Sequence, residues 1–274
     1  MATSFESEQM LDNNPICDTH AHLSFRHFDS DRHSILRSIE RGVLAFVIEV
    51  GIDLSNSRSC IKLADSEDHV YATVGVHPHD SAKVATGDYL ETMKALVSSS
   101  KKVVAIGETG LDYYRDLSPR KVQKRVFVDQ LNLASKMKLP VVVHIREAYD
   151  DALEILRAEA TDVKVVVHSF SGDRECAKEI IKLGFYLGIG CPITYRRNDE
   201  LRKVVAGTPL DRILPETDSP FLPPQELRGK RNDPRNVRYV FSTISDLKGA
   251  SLEGCSDRLL ENATSFFGIR RREA

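Results

Sequence analysis

The sequence predicts a single α/β domain folded as a (β/α)8 TIM barrel, either regular or distorted, with helices added after the last strand. Short runs of β-branched and apolar residues alternate with helix-patterned segments between residues 16 and 220. This alternation is typical of a parallel sheet built from βα units. Eight such runs can be counted, which is the number of strands that closes a barrel.

The predicted strands are mostly continuous apolar runs, as strands that are buried on both faces require. An open doubly wound sheet would use the same elements, and periodicity does not exclude it. The position of the polar residues separates the two folds, because barrel enzymes carry their reactive side chains where the strands end. The eight runs are residues 16–20, 45–50, 70–76, 103–107, 141–144, 163–168, 185–189 and 212–216.

Helices are predicted by capping residues as well as by periodicity. Ser118 and Pro119 predict an N-cap followed by proline at the first helical position, and Pro140 ends that helix. Gly42 and Gly184 each follow a helical pattern and are placed as C-terminal caps. Two last helices are predicted at residues 235–247 and 251–267.

One domain is predicted at residues 15–270, after a flexible extension at residues 1–14. No low-complexity linker divides the 274 residues, and the extension lacks the basic and apolar segments of a secretory signal. The most apolar stretch is too short to span a bilayer, so no membrane partner is expected. Five scattered cysteines without a CxxC pair favour reduced thiols and a cytoplasmic location.

The overall charge balance is nearly even, with 38 Lys and Arg against 40 Asp and Glu. The charge balance therefore does not support binding of a nucleic-acid backbone through a broad positive surface, although a local basic patch is compatible with it. One basic cluster follows the predicted eighth strand. A run of like charges is usually only a solvent-exposed surface. For this cluster, contact with the phosphates of a substrate is the functional alternative. The cluster consists of Arg228, Lys230, Arg231 and Arg235.

Residues that can bind a metal follow the ends of several predicted strands. His20 and His22 end the first strand, and side chains two apart on a strand point the same way, about 6.6 Å apart. A His-x-His pair alone is a weak signal, because two partly exposed loop histidines give the same pattern. Four further strands end in a residue of this kind, namely Glu108, His144, His168 and Asp218.

Six ligands are too many for one tetrahedral ion and suit two divalent ions that share a carboxylate. Glu108 is the natural bridge between the two ions. Mixed imidazole and carboxylate ligation favours Zn, Mn or Co, and Mg is tolerated where waters and phosphate oxygens complete its shell. The predicted sets are His20, His22 and Asp218 for one ion, and His144 and His168 for the other.

The segments around these residues resemble the TatD family of metal-dependent deoxyribonucleases, within the amidohydrolase-like barrel superfamily. The similarity runs from Cys17 nearly to Gly268. Pro215 and Asp233 depart from the usual pattern, but neither is a predicted ligand. The segments are DTHAHL (18–23), GVHPH (75–79), IGETGLDY (106–113), LPVVVHIREA (139–148), VHSFSG (167–172), ETDSP (216–220) and RGKRNDP (228–234).

The resemblance implies a nuclease that hydrolyses phosphodiester bonds of DNA, with its metal ligands at the same six positions. We expect a 3′–5′ exonuclease acting on single-stranded ends. Catalytic roles are expected for Asp218 as general base, for Glu108, and for His77 as a donor to the phosphate or the leaving 3′-oxygen.

Contacts to the substrate are expected from residues around the predicted mouth of the barrel. Arg146 follows a ligand by two positions, so it is a candidate phosphate clamp, and a salt bridge to Glu108 or Asp112 is the competing interpretation. Tyr113 and Tyr114 either stack on a base or pack at the rim. The predicted substrate-binding set is His79, Asp112, Arg146, Arg228 and Lys230.

Two other functions are compatible with the same residues. A dinuclear site also hydrolyses carboxylic esters, so an aminoacyl-nucleic acid deacylase is the first alternative. The second is a non-catalytic metal-binding scaffold for partner proteins, which is disfavoured because no ligand position is lost. The sequence leaves open the native metal, the polarity of digestion and the oligomeric state.

Overall fold

A computed structural model of the chain describes residues 16–270, so the extension predicted at residues 1–14 lies outside the described residues. Eight strands form one sheet in the order β1 to β8, and each strand pairs in parallel with the next. The predicted TIM barrel is confirmed. The strands are β1 Cys17–Ala21, β2 Phe46–Glu49, β3 Val70–Val74, β4 Val103–Asp112, β5 Val141–Arg146, β6 Val165–His168, β7 Tyr186–Ile189 and β8 Ile213–Pro215.

The ring closes between β1 and β8 through main-chain bonds just beyond the regular strands. Ala21 and Ser219 form an isolated parallel bridge. The amide of His22 donates to the carbonyl of Ser219 at 2.8 Å, and the amide of Asp218 donates to the carbonyl of His20 at 2.9 Å. The segments that carry three predicted ligands therefore also close the barrel.

Helices cover the outside of the sheet and bury their apolar faces against it. No helix among residues 16–270 is long and apolar enough to cross a bilayer. The α-helices are Arg32–Glu40, Leu54–Ser66, Ser81–Val84, Tyr89–Ser99, Arg120–Met137, Tyr149–Glu159, Arg174–Lys182, Asp199–Gly207, Val237–Lys248 and Leu252–Phe267. Short 3₁₀ turns lie at Arg26–Phe28, Pro78–Asp80, Cys191–Thr194, Leu210–Arg212, Gln225–Leu227 and Pro234–Asn236.

The predicted cap of the longest helix is wrong. The helix begins at Arg120, and Pro119 occupies the N-cap position without a side-chain hydrogen bond. Ser118 uses its hydroxyl elsewhere, because it donates to the carbonyl of His79 at 2.8 Å. A long-range bond to the loop after β3 thus replaces the local cap. Gly42 and Gly184 do follow their helices with positive φ, as predicted.

β4 extends five residues beyond the run predicted at 103–107. This stretch contains Gly110, and glycine usually weakens a strand, yet Gly110 lies inside this one. Gly110 has φ +137°, and a Cβ there would collide with the carbonyl oxygen of His144. Glycine therefore lets β4 lie close against β5 while its register shifts between Ile106 and Thr109.

Two buried amides of the helix Arg120–Met137 hold the end of β4 in place. Gln130 donates to the Thr109 hydroxyl at 2.6 Å and accepts from the amide of Val76 at 2.8 Å. Gln123 accepts from the amide of Asp112 at 2.9 Å. Since both glutamines are fully buried, these bonds are shielded from water and fix the backbone that carries Glu108 and its neighbours.

Candidate metal centre

A cavity of about 740 Å³ opens at the carboxyl ends of the strands, where a barrel concentrates its reactive side chains. His22, Glu108, His144, His168 and Asp218 line it, as do His77, His79, Asp112 and Arg146. His20 lies beneath this lining and is fully buried. The structure therefore brings all six predicted ligands to one place.

The carboxylate of Glu108 lies between two groups of imidazoles. Its Oε2 is 3.5 Å from Nε2 of His20. Its Oε1 is 2.9 Å from Nδ1 of His144, 3.3 Å from Nε2 of His168 and 3.4 Å from Nε2 of His77. Each oxygen of this carboxylate therefore faces different imidazoles, as the predicted bridging role requires.

The ligand-competent atoms fall into three overlapping sets, each within 4.8 Å. The sets differ in two respects from the predicted partition, because His168 is grouped with His20 and Asp218, and His77 joins Glu108 and His144. His168 contacts both Glu108, at 3.3 Å, and the ring of His20, at 3.7 Å between centroids. The sets are His20, His22 and Glu108; His20, His168 and Asp218; and His77, Glu108 and His144.

His20 carries the strongest indication that this cluster fits a metal. Both ring nitrogens are buried and neither has a hydrogen-bond partner in the described part of the chain. Burial and the charge of His168 lower the pKa of His20, so its imidazole is neutral at pH 7 and offers a lone pair. A cation at Nε2, between Glu108 and Asp218, would satisfy this orphaned atom.

Hydrogen bonds from the outer ring nitrogens orient two of the imidazoles. Nδ1 of His22 donates to the carbonyl of Val50 at 3.0 Å, which leaves Nε2 free to face Asp218 at 3.5 Å. Nδ1 of His168 donates to Oε1 of Glu216 at 3.1 Å. Bonds of this kind fix the tautomer of a metal-binding histidine and raise its basicity.

Glu216 is a functional residue that the sequence analysis missed. It is fully buried and also accepts from the amide of Ser169 at 2.7 Å. Residues two apart on a strand point the same way, so the position of Asp218 at the end of β8 could have pointed to Glu216. The sequence assigns no role to Glu216 because Asp218, two residues later in the same motif, was taken as the metal ligand of this strand end.

Asp18 links β1 to β8 below the cluster. One oxygen accepts from the amides of His20 at 3.1 Å and Thr217 at 3.0 Å, and the other accepts from the Thr217 hydroxyl at 2.5 Å. Burial raises the pKa of Asp18 well above its ordinary value. These three bonds hold the backbone of a ligand on β1 against the segment that leads to Asp218.

His144 and His79 are anchored by one buried carboxylate. Oδ2 of Asp112 accepts from Nε2 of His79 at 2.8 Å and lies 3.2 Å from Nε2 of His144. Burial would raise the pKa of Asp112, but these bonds and the amide of Arg115 lower it instead. The predicted substrate-binding residue Asp112 thus orients two histidines, and His144 is left with Nδ1 toward Glu108.

His77 has the proton arrangement of a hydrogen-bond donor. The amide of His79 donates to its Nδ1 at 3.2 Å, which puts the ring proton of the neutral form on Nε2. Burial lowers the pKa of His77 to about 4, so the ring is neutral at pH 7. Its N–H therefore lies at the cavity lining and faces Oε1 of Glu108, 3.4 Å from Nε2.

Arg146 lines the cavity and stacks on a tyrosine at its edge. Its guanidinium lies 3.9 Å from the centre of the Tyr114 ring, and no ion pair between Arg146 and a carboxylate is formed within residues 16–270. Its donors remain available for an anion. Tyr113 is engaged differently, because its hydroxyl donates to Asp151 at 2.6 Å.

The basic cluster after β8 divides into paired and unpaired side chains. Arg231 makes a bidentate ion pair with Asp31, at 2.7 and 2.6 Å. Arg235 pairs in the same way with Asp233. Arg228 and Lys230 are exposed, and neither lines the cavity of the metal centre.

Two aromatic side chains that line the cavity near His22 were not predicted from the sequence. Phe25 stacks on the ring of His22 at 4.7 Å, and Phe221 meets Phe25 edge to face at 6.2 Å. Both line the cavity, and Phe221 is 44% exposed. Phe221 directly follows the last motif of β8, so its position in sequence was the available signal.

A TIM barrel with His, Glu and Asp gathered at its strand ends defines a hydrolase that uses divalent metal ions. Comparison with known proteins agrees with this class. The profile of the family described as TatD related DNase matches residues 17–268. The chain belongs to the TatD family and is a metal-dependent hydrolase acting on ester bonds.

Individual relatives match over nearly their whole length. The uncharacterized metal-dependent hydrolase YabD of Bacillus subtilis is 39% identical, over 92% of this chain and 98% of its own. The 3'-5' ssDNA/RNA exonuclease TatD of Pantoea ananatis is 33% identical, over 92% of this chain and 99% of its own. The crystal structure of YJJV, a TatD homologue from Escherichia coli K12, superposes with a TM-score of 0.86 at 31% identity, covering 93% of this chain and 98% of that one.

Proposed function

We propose that this chain is a deoxyribonuclease that removes nucleotides from the 3′ ends of single-stranded DNA with the help of two divalent metal ions. The observation that carries the proposal is the carboxylate of Glu108, whose Oε2 faces His20 while its Oε1 faces His144 and His168. The relative from Pantoea ananatis, named as a 3'-5' ssDNA/RNA exonuclease, supports the choice of substrate.

The residues that would hold the metals are the six of the predicted set. In the predicted partition His20, His22 and Asp218 would hold one ion, His144 and His168 the other, and Glu108 both. The grouping of His168 with His20 and Asp218 in the structure makes His168 available to the first ion as well. When bound, the ions supply a Lewis acid that activates water and neutralises charge on the phosphoryl oxygens. Zn, Mn, Co and Mg are all candidates for this donor set.

Asp218 is the proposed general base. Its Oδ1 lies 3.5 Å from Nε2 of His22. Burial would raise the pKa of Asp218, but the contact with His22 and the positive charge of neighbouring His168 lower it. The carboxylate is therefore ionised at pH 7 and can accept a proton from a water beside it.

His77 and Arg146 are proposed to hold the scissile phosphate. The N–H at Nε2 of His77 can donate to a non-bridging oxygen or to the leaving 3′-oxygen. Arg146 presents a planar set of donors that suits a phosphate, and its stacking on Tyr114 limits its motion. The ring of Phe221 offers a surface on which the terminal base can stack.

The test uses single-stranded DNA of 20 nucleotides labelled at either end, incubated with protein loaded with Mg, Mn, Zn or Co. Shortening from the 3′ end that releases mononucleotides is the expected result. Glu108→Gln should abolish release while retaining the fold by circular dichroism. DNA that stays intact with every metal would overturn the proposal.

The ester-hydrolase alternative gives a different product. An aminoacylated RNA would lose its amino acid while the nucleic acid stays whole. If that product forms and labelled DNA is untouched, the substrate class proposed here is replaced by aminoacyl esters. If bound metal is present but neither substrate reacts, the non-catalytic scaffold takes its place.

A further inference from the structure

A second concavity adjoins the metal-centre cavity, on the side of the loop that follows β7. Its volume is about 510 Å³. Tyr195 and Asn198 line both spaces, so the two share a wall. The described residues that line it include three arginines and no carboxylate. We call it the arginine groove, and it is lined by Tyr195, Arg196, Arg197, Asn198, Gln225 and Arg228.

The arginines of the groove are not neutralised by the acids nearest to them in sequence. Glu226, two residues from Arg228, is exposed and makes no ion pair within residues 16–270. Asp199 is bound to Arg202 at 2.5 Å. Glu200 lies 3.5 Å from Arg174 and 3.6 Å from Lys203. Arg196, Arg197 and Arg228 are exposed and make no ion pair within residues 16–270. The groove therefore carries a local excess of positive charge on a chain whose net charge is −2.

The backbone beneath the arginines is held by hydrogen bonds. Arg202 donates to the carbonyls of Ile193 at 3.0 Å, Tyr195 at 2.6 Å and Arg196 at 3.1 Å. Gln225 accepts from the amide of Arg196 at 3.2 Å. The loop thus presents its side chains from fixed positions, which lowers the entropy cost of binding a ligand.

Arg228 is held by the ring that forms the shared wall. Its guanidinium lies 4.5 Å from the centre of the Tyr195 ring. A guanidinium that is stacked on one face keeps the N–H groups of its edge free, and that edge matches two oxygens of a phosphate. The pair therefore combines an aromatic surface with a phosphate donor next to the metal centre.

We infer that the arginine groove binds the backbone phosphates of a single-stranded nucleic acid, upstream of the terminal nucleotide held at the metal centre. This inference rests on the proposed nuclease function. A strand whose 3′ end enters the cavity leaves it across Tyr195 and Asn198, where Arg196, Arg197 and Arg228 meet its phosphates. The groove thus favours long single strands over short ones.

The test measures the KM for single-stranded DNA of 2 and of 12 nucleotides. Both substrates are used with the wild type and with the double variant Arg196→Glu/Arg197→Glu. The ratio of the KM for 12 nucleotides to the KM for 2 nucleotides should rise about tenfold or more in the variant. The matched control is Lys101→Glu/Lys136→Glu, which makes the same charge change on exposed lysines at the opposite end of the barrel. It should leave the ratio unaltered.

Binding is measured separately, by fluorescence anisotropy of a labelled 12-nucleotide DNA in EDTA, where no cleavage occurs. The slope of log affinity against log salt should fall by about 1.4 for two lost phosphate contacts on a single strand. If wild type cleaves DNA but the arginine variant keeps the wild-type ratio and slope, the inference is overturned and the nuclease proposal stands. If wild type binds no DNA, the inference also fails.

If wild type binds DNA with the expected dependence on Arg196 and Arg197 but cleaves none, the nuclease proposal fails alone. An RNA of the same length run in parallel shows whether the groove distinguishes the two sugars. Equal affinity for both is expected, because the proposed contacts are to phosphate.

Discussion

Oε1 of Glu216 lies 3.1 Å from Nδ1 of His168, and it also accepts the amide of Ser169, the next residue along the chain. A single buried carboxylate at the end of β8 therefore orients a candidate metal ligand at the end of β6. It does so from the side of the ring that faces away from Glu108, whose Oε1 is 3.3 Å from Nε2 of the same histidine.

Glu216→Ala should weaken metal binding and leave the barrel folded. Loss of an outer-shell partner typically costs about 10- to 100-fold in metal affinity or activity. Competition with a chelator measures the affinity, and kcat at rising metal concentration tests whether excess metal restores the rate. Glu216→Gln, which can still accept from Nδ1, should recover most of the affinity. An unchanged affinity in Glu216→Ala would show that the contact is only structural, and Glu226→Ala at an exposed site serves as the control.

Divalent metal should stabilise the wild type and fail to stabilise His20→Asn to the same extent. A ligand that binds only the folded chain at 100 times its Kd adds about 2.7 kcal/mol, which corresponds to a rise in Tm of about 5–10 °C for a chain of this size. Scanning calorimetry with Zn or Mn, before and after EDTA, measures the rise. His33→Asn, on an exposed helix face, should respond as wild type does. Equal shifts in His20→Asn and wild type would count against a metal at this nitrogen.

Phe221→Ala should raise the KM for DNA with a smaller effect on kcat. Stacking of a base on an aromatic side chain is worth about 1–3 kcal/mol, so the KM should rise about 5- to 150-fold. Phe221→Tyr keeps the ring and should remain close to wild type. Steady-state kinetics on a single-stranded substrate makes the comparison. A KM that does not change in the alanine variant would remove Phe221 from the binding surface.

Arg231→Ala should lower stability, whereas Lys230→Ala should not. The bidentate pair with Asp31 is partly exposed, with side chains 29% and 39% accessible, so its loss should cost about 1 kcal/mol and about 2–4 °C in Tm. The guanidinium also packs 4.3 Å from the centre of the Phe28 ring. Urea unfolding at pH 7 measures both variants. Equal stability of Arg231→Ala and wild type would contradict this.

The effect of Arg231 should also depend on pH. The hydrogen bonds from Arg231 lower the pKa of Asp31 below its ordinary value of 3.8. A group whose pKa is lower in the folded state adds stability above its unfolded pKa and loses it as pH falls through the folded value. The difference between wild type and Arg231→Ala should therefore be full at pH 6 and shrink below about pH 4, in urea titrations at each pH. A constant difference down to pH 3 would contradict the role of Asp31.

The strand ends were predictable because a buried apolar run that stops at His or Glu leaves a side chain that must find a partner. That argument found His144, His168 and Glu108 without any knowledge of packing. It failed for the length of β4, because glycine is a strand breaker in most contexts and only the close approach to His144 explains Gly110. Contacts that run between elements distant in sequence, such as Ser118 to His79, leave no periodic signal.

The sequence did not show which basic side chains after β8 form ion pairs and which remain exposed. Arg231 and Lys230 are neighbours with similar charge, yet one is bound to Asp31 and the other is exposed. Arg196 and Arg197 were overlooked because they lie in the loop after β7, in a segment without a motif. Their proximity to Arg228 depends on how two loops meet over the barrel.

Because β1 pairs with β8, the metal centre is complete only after the last strand of the barrel has been synthesised. His20 and His22 are made with the first strand of the barrel, whereas Asp218 and the carbonyl of Ser219 that accepts the His22 amide are made only after the last strand. In a nascent chain the His-x-His pair of β1 therefore lacks Asp218 as a neighbouring candidate ligand until the last strand has been made. Metal retained at the complete set of candidate ligands would accordingly mark chains whose ring has closed and leave unfinished ones empty.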